Sequence, residues 1–162
     1  DSVKSRGLGD VYKRQILLTR QKLPVSVLDK NTIRDGVKKG AYTVLESDNP
    51  DLVIFTTGSE THLALSIAKE IKNDVKIVNI PCWELFKQQS EDYKNSILTS
   101  SCKKRVSLEA GTTLGWEKFV GQHGLKIGID DFGLSAPGVD VAKQFDFTKE
   151  KITAKIKKYL ND

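Results

Sequence analysis

A short run of apolar residues limits what this chain can fold into more than any other feature. Residues 52–57, Leu-Val-Ile-Phe-Thr-Thr, are rich in β-branched side chains, as in a strand buried on both faces of a parallel sheet. A glycine turn follows at Gly58, and apolar residues then recur at helical spacing from Leu63 to Ile71. A second apolar run covers residues 75–80. Together these segments predict a right-handed βαβ unit.

The alternation of strands and helices continues on both sides of this unit. Apolar patterns predict further short strands over residues 41–47, 105–110 and 126–130. Residues 25–40 are polar and contain turn residues, so we predict a connection without regular structure there. The whole pattern predicts an α/β fold, a three-layer sandwich with a mostly parallel sheet of roughly five strands.

Helical segments are predicted between and after these strands. The last helix has the clearest start, with Thr148 as its N-cap and with Phe147 and Ile152 at the spacing of a hydrophobic staple. The helix before it is predicted to have Ser135 near its cap and Pro137 in its first turn. The other predicted helical segments are residues 60–71, 82–89, 91–98 and 115–122.

Composition and charge argue against several classes of function. The net charge is +5, but the lysines fall into separate groups interleaved with acids and without stacking aromatics, so we expect no nucleic-acid partner. No apolar run approaches the roughly 20 residues of a spanning helix, and no secretory signal is visible. We therefore expect no membrane segment and a cytoplasmic location.

Cysteines and histidines are too few and too scattered to predict a metal site. Cys82 and Cys102 are far apart and are predicted to be buried, reduced thiols. His62 and His123 add no ligand cluster, and both are expected to face solvent. No histidine partner is identifiable for a nucleophilic thiol at Cys82.

The turn at Gly58 and Ser59 is one candidate site, because a strand, a glycine turn and a helix start can bind a phosphate through backbone N–H groups. The segment has one glycine where a dinucleotide fingerprint has three, and it lacks the lysine of a P-loop. A tight turn in which Ser59 caps its own helix explains the same residues, and we favour that interpretation. The alternative is a stand-alone binding or regulatory module with an anion site at Gly58-Ser59.

Glu109 is a second candidate, since it ends an apolar strand at the position where α/β proteins often carry functional groups. Without a second titratable residue in the motif, we expect it to accept hydrogen bonds from neighbouring backbone N–H groups rather than act as a base. Four aromatic residues could line a pocket, but their helical spacing is more typical of a core: Trp83, Phe86, Trp116 and Phe119. These residues form no convincing catalytic constellation.

Several longer blocks resemble one known family. "TRQKLP", "TTGSE", "IPCWELF", "SLEAGTTLGWEKFVG", "IGIDDFGLSAP" and "FDFT" follow one another in the order and spacing of the carboxy-terminal part of transketolase. The resemblance runs from Ile16 to about Leu160, and the Cys-Trp-Glu-Leu-Phe and Gly-Trp-Glu-Lys blocks are its most specific parts. It implies the fold of the transketolase C-terminal domain.

The resemblance also implies a division of the chain. Residues 16–37 correspond to the last strand of the pyrimidine-binding domain plus a linker, and residues 38–162 to the C-terminal domain. Arg20 matches the arginine with which the family binds the phosphate of its substrate, and a guanidinium suits that role as a rigid fork of donors. Residues 1–15 do not fit the family pattern, and we expect a non-native or disordered leader there.

The family's activity is implied in the same way. Transketolases transfer a two-carbon ketol unit between ketose phosphates and aldose phosphates in the pentose phosphate pathway, using thiamine diphosphate and a divalent metal such as Mg²⁺. The metal motif of the family is absent from these 162 residues, so we expect the chain alone to bind no cofactor and to be inactive. The implied partners are the remaining transketolase domains, a second subunit of a homodimer and a sugar phosphate, which leaves this chain a scaffold and dimer-contact role.

Overall fold

The computed structural model describes residues 22–26 and 28–162. Arg20, the predicted leader over residues 1–15 and most of the strand predicted from Ile16 lie outside the described residues. Residues 22–26, where they are described, have no regular secondary structure. The domain division at residues 37 and 38 stays a prediction.

Five strands form one sheet in the described part of the chain, with the spatial order β1-β3-β2-β4-β5. Strand β1 is antiparallel to β3, and the other neighbouring strands are parallel. In the central strand, Ile54 pairs with Ile77 on one side and with Val106 on the other. The strands are β1 (Tyr42–Leu45), β2 (Leu52–Thr56), β3 (Val75–Asn79), β4 (Arg105–Leu108) and β5 (Leu125–Ile127). The predicted fold class, a mostly parallel five-stranded α/β sheet, is confirmed.

Helices cover both faces of this sheet. They are α1 (Lys30–Lys39), α2 (Glu60–Ala68), α3 (Trp83–Lys87), α4 (Glu91–Leu98), α5 (Glu117–Val120), α6 (Gly138–Gln144) and α7 (Lys149–Asn161). Helices α2 and α7 contribute to the apolar core on one face, whereas α3, α4 and α5 contribute to the core on the other. No helix in residues 22–26 and 28–162 is long and apolar enough to cross a lipid bilayer.

The central position of β2 in the sheet explains why residues 52–55 are all apolar. Successive side chains of a strand point to opposite faces, so Leu52 and Ile54 enter one core while Val53 and Phe55 enter the other. All four side chains are completely buried. Burial on both faces requires two layers of helices, and this produces the three-layer arrangement.

Helix α1 corrects the prediction of an irregular connection over residues 25–40. Asp29 caps the helix by accepting a hydrogen bond from the backbone N–H of Thr32 at 2.8 Å, and Gly40 ends it with φ of 84°. The backbone N–H of Thr32, and other N–H groups of the first turn, hold the pKa of Asp29 below its ordinary value. The helix is almost entirely polar, which hid its periodicity. It packs on β1 at Gly36, where a side chain would overlap Tyr42.

The start of helix α7 agrees with the sequence prediction, whereas the start of α6 does not. Thr148 caps α7 by accepting from the N–H of Lys151 at 3.4 Å, and Ile152 is completely buried, so this prediction is confirmed. In α6, Pro137 is itself the N-cap and makes no side-chain cap bond. Pro137 therefore precedes the first turn, contrary to our prediction, and Ser135 lies outside the helix.

Arg105 fastens the loops at the amino end of β4. Its guanidinium donates to three carbonyl oxygens from two segments, the loop after α4 and helix α5, at 2.9 to 3.1 Å. These oxygens belong to Thr99, Cys102 and Phe119. Since this side chain bonds to both segments, Arg105 has a structural role.

Candidate functional site

The carboxyl edge of the sheet is the place where a doubly wound α/β fold normally presents functional groups. Strand β2 leads to β3 on one side, while β4 and β5 continue on the other side, so the strand order reverses between β2 and β4. Ligands of open α/β sheets bind beyond the carboxyl ends of the strands at such a reversal. The loops that follow β2, β4 and β5 meet there, and each carries a predicted or newly found candidate residue.

The loop after β2 contains the predicted turn at Gly58, which adopts a left-handed φ of 56°. Ser59 does not cap α2, because its hydroxyl donates instead to Glu60 Oε1 at 2.6 Å. The N–H groups of Thr61 and His62 donate to backbone carbonyls of the turn itself. The prediction that Ser59 caps its helix is therefore wrong. The alternative, an anion site, is weakened by the Glu60 carboxylate at the same helix start.

The loop after β4 begins with Glu109, whose Oε2 accepts a hydrogen bond from Trp116 Nε1 at 2.7 Å. We expected a structural role with backbone donors, and the structure provides a structural role with an indole donor. Trp116 is only 1% exposed, so its N–H depends on this carboxylate for a partner. In the sequence, Glu109 and Trp116 are seven residues apart with a glycine turn between them. That separation alone does not predict a hydrogen bond between their side chains.

Asp130, after β5, is a site residue that sequence analysis missed. Its carboxylate accepts from the backbone N–H of Thr113 at 2.7 Å, from Thr113 Oγ1 at 2.7 Å and from Thr112 Oγ1 at 3.0 Å. The backbone bond from Thr113 is the main cause that holds the pKa of Asp130 below its ordinary value. The N–H of Ile129 also donates to the carbonyl of Gly111 at 2.7 Å. These bonds clasp the β4 and β5 loops together.

The aromatic residues singled out from the sequence form a packed cluster, as predicted. Trp83 meets Trp116 edge-on with ring centroids 5.2 Å apart, and Trp116 lies 5.6 Å from Phe119. Phe86 is buried in the same core. Gly115, with φ of 88°, lets the chain turn beside Trp83, since a side chain there would approach the indole to 2.8 Å. The cluster belongs to the core, and at one side Trp83, Phe86 and Phe119 also line a cavity of about 360 Å³.

A cavity of about 410 Å³ lies at the same edge, between the β2 and β5 loops and the start of α6. Lys22 and Leu23, among the first residues that the structure describes, form part of its wall. Others in the wall include Glu60, His62 and Ile129. The chain that precedes the sheet therefore arrives at the carboxyl edge.

The remaining candidates stay apart from one another. His123 is exposed as predicted, but His62 is half-buried against the cavity. Both cysteines are free; Cys102 is buried as predicted, whereas Cys82 is only half-buried. Within residues 22–26 and 28–162, no group of three or more His, Cys, Asp or Glu side chains could hold a metal ion.

Comparison with known proteins identifies transketolases. The chain is 45% identical to transketolase of Staphylococcus aureus (strain MW2) over 141 residues, which are 85% of this chain and 21% of that protein. A transketolase structure from Leishmania mexicana superposes with a TM-score of 0.72 and 34% identity, over 78% of this chain and 19% of that one.

A Pichia stipitis transketolase in complex with sedoheptulose-7-phosphate superposes with a TM-score of 0.71 and 32% identity, again over 78% and 19% of the two chains. This chain therefore spans about a fifth of the length of the curated relatives that it matches. The family model of the transketolase-like C-terminal domain matches residues 40–148, which run from the end of α1 to the cap of α7. With more than half of its residues inside that match, and with the same fold, the chain belongs to the transketolase C-terminal domain family.

Proposed function

We propose that this chain is the carboxy-terminal part of a transketolase. The complete enzyme transfers a two-carbon ketol unit from a ketose phosphate to an aldose phosphate, in the pentose phosphate pathway. The observation that carries this proposal is the similarity to transketolases, in sequence and in fold, over most of this chain. The cytoplasm is the expected compartment.

Within that enzyme, the chain acts as a scaffold that contacts the other domains and the second subunit of a homodimer. The hydrogen bonds that its carboxylates accept support this role. Glu60, Glu109 and Asp130, which follow β2, β4 and β5, all accept hydrogen bonds from neighbouring side chains. The bonds of Glu109 and Asp130 hold the loops after β4 and β5 in place.

Thiamine diphosphate and its divalent metal are assigned to the complete enzyme and not to this chain. A diphosphate-bound metal needs oxygen ligands, and in the described residues no group of three or more His, Cys, Asp or Glu side chains could hold a metal ion. The helix start after β2, which follows the glycine turn at Gly58, carries the negative charge of Glu60. We therefore derive no chemical step from these residues.

Arg20 is proposed to bind the phosphate of the sugar substrate in the complete enzyme. Its place in the "TRQKLP" block supports this, and the Pichia stipitis relative binds a sugar phosphate. We expect Arg20→Ala to raise the transition-state free energy for phosphorylated sugars by about 1.5 to 3 kcal/mol, the range for a hydrogen bond to a charged group. Arg34→Ala, at an exposed residue of α1, is the control. An unchanged preference for phosphorylated over unphosphorylated donors would contradict the assignment.

A fusion protein tests the proposal as a whole. The 141 matched residues of the Staphylococcus aureus transketolase would be replaced by the corresponding part of this chain. We expect the fusion to transfer ketol units from xylulose 5-phosphate to ribose 5-phosphate when given thiamine diphosphate and Mg²⁺, and the 162-residue chain alone to do nothing. Activity of the chain alone, or a folded fusion without activity, would contradict the proposal.

A further inference from the structure

The loops after β4 and β5 carry the most exposed large apolar side chains near the sheet's carboxyl edge. Phe132 is 92% exposed and Leu114 is 79% exposed. Val139 and Leu134, close by in sequence, are 69% and 52% exposed. Single exposed apolar residues are ordinary, but three of these lie in two loops that are bonded to each other, and Val139 lies in the first turn of α6 that follows. Apolar patches of this kind mark interaction surfaces.

The two loops are held in fixed positions. Asp130 lies two residues before Phe132, and its carboxylate accepts from the hydroxyls of Thr112 and Thr113, next to Leu114. The Ile129 N–H to Gly111 carbonyl bond joins the same loops at their bases. An apolar patch on a rigid support loses little conformational entropy on binding, which favours docking.

The path of the chain indicates what covers the patch. Lys22 and Leu23 lie in the cavity at this edge beside Gly138 and Val141, next to the patch residue Val139. Whatever precedes residue 22 is therefore delivered to this edge, where tethering gives it a high effective concentration. About four fifths of the length of the relatives lies outside the matched region, so in a complete enzyme of that length a large polypeptide would be available to cover the patch.

We propose that Leu114, Phe132, Leu134 and Val139 form the surface on which the preceding part of the transketolase polypeptide docks, with the Asp130 clasp as its rigid support. This inference rests on the proposed function, because it takes the rest of a transketolase as the occupant. Residues 130–140 include three acids and no basic residue. The docking partner is therefore an apolar patch with lysine or arginine side chains at its rim.

Hydrogen exchange distinguishes this surface from the rest of the domain. In the fusion with the Staphylococcus aureus transketolase, amides of residues 130–139 should exchange about tenfold more slowly than in the 162-residue chain alone. Residues 30–39, in α1 beside the opposite edge strand β1, should exchange at the same rate in both. If the fusion does not fold, the chain mixed with the Staphylococcus aureus protein truncated before the matched region allows the same comparison.

Two variants of matched type separate docking from a general change in stability. Phe132→Ser should abolish the slower exchange, whereas Val37→Ser, at a residue 44% exposed on α1, should leave it intact. The docking surface would be overturned if the amides of residues 130–139 exchanged equally fast in the fusion and in the isolated chain, or if the two variants had equal effects on that exchange. This holds even if the fusion transfers ketol units. Slow exchange without ketol transfer would instead overturn the proposed function. Concentration-dependent protection of residues 130–139 in the isolated chain would assign the patch to a second copy and overturn the proposed occupant.

Discussion

Trp116 donates its indole N–H to Glu109 at 2.7 Å, and this bond joins the end of strand β4 to the aromatic cluster under α5. The donor is almost completely buried, so its partner cannot be replaced freely by water. A glutamate at the carboxyl end of a strand thus stabilises the core at the place where a catalytic base would be sought.

We expect Glu109→Ala to lower the free energy of unfolding by about 1 to 3 kcal/mol, because the Trp116 N–H would be left without an acceptor. Glu109→Gln should cost less, since its amide oxygen can still accept the bond. Urea denaturation of the isolated chain measures both values. Equal losses for the two variants would contradict this role for the carboxylate.

We expect the free energy of unfolding to depend on pH through the carboxylate of Asp130. Because hydrogen bonds from Thr113 and Thr112 lower its pKa in the folded state, the carboxylate stabilises the fold above its unfolded pKa. That contribution is lost as pH falls from about 4, the ordinary value of an aspartate, through the lowered folded-state pKa. The free-energy difference between the parent chain and Asp130→Asn should therefore shrink over this range in urea denaturation at several pH values. Asp131→Asn is the control, and a difference that grows as pH falls would contradict the clasp.

At Gly36, helix propensity and packing predict opposite effects of a substitution by alanine. In an exposed helix, changing glycine to alanine stabilises by up to about 1 kcal/mol, but at Gly36 the new methyl group would overlap Tyr42. We expect Gly36→Ala to lower the thermal midpoint because the overlap with Tyr42 is larger than the gain in propensity. Gly138→Ala, where nothing lies within 4 Å, should be neutral or slightly stabilising.

Restoring space at Tyr42 checks the cause. The double variant Gly36→Ala, Tyr42→Ala should lose less stability than the sum of the two single variants. Strict additivity would mean that α1 does not press on β1 at this point.

Arg105 should be sensitive even to substitution by another long side chain. Arg105→Met removes three hydrogen-bond donors while keeping much of the apolar stem, and we expect a loss of about 2 kcal/mol in urea denaturation. Arg34→Met, on an exposed face of α1, should change stability by less than about 0.5 kcal/mol. Similar effects of the two variants would show that the loop carbonyls do not depend on Arg105.

The sequence by itself determined the layers of this protein. Residues 52–55 are apolar at four successive positions, and a chain can bury both faces of a strand only between two layers of helices. The family blocks around Trp83 and Trp116 predicted the family, because they depend on residue identity rather than on contacts. The start of α7 at Thr148 was readable for the same reason, since a cap acts within one turn.

Only the tertiary structure decided which polar groups meet. Asp130 bonds to threonines 17 and 18 residues earlier, and Arg105 joins the loop after α4 to helix α5. Local periodicity carries no information about such pairs, because their distances are set by how loops pack after the sheet has formed. Helix α1 was hidden for a related reason: it is polar, so its signal lay in the Asp29 and Gly40 caps and in its contact with Tyr42 rather than in an apolar stripe.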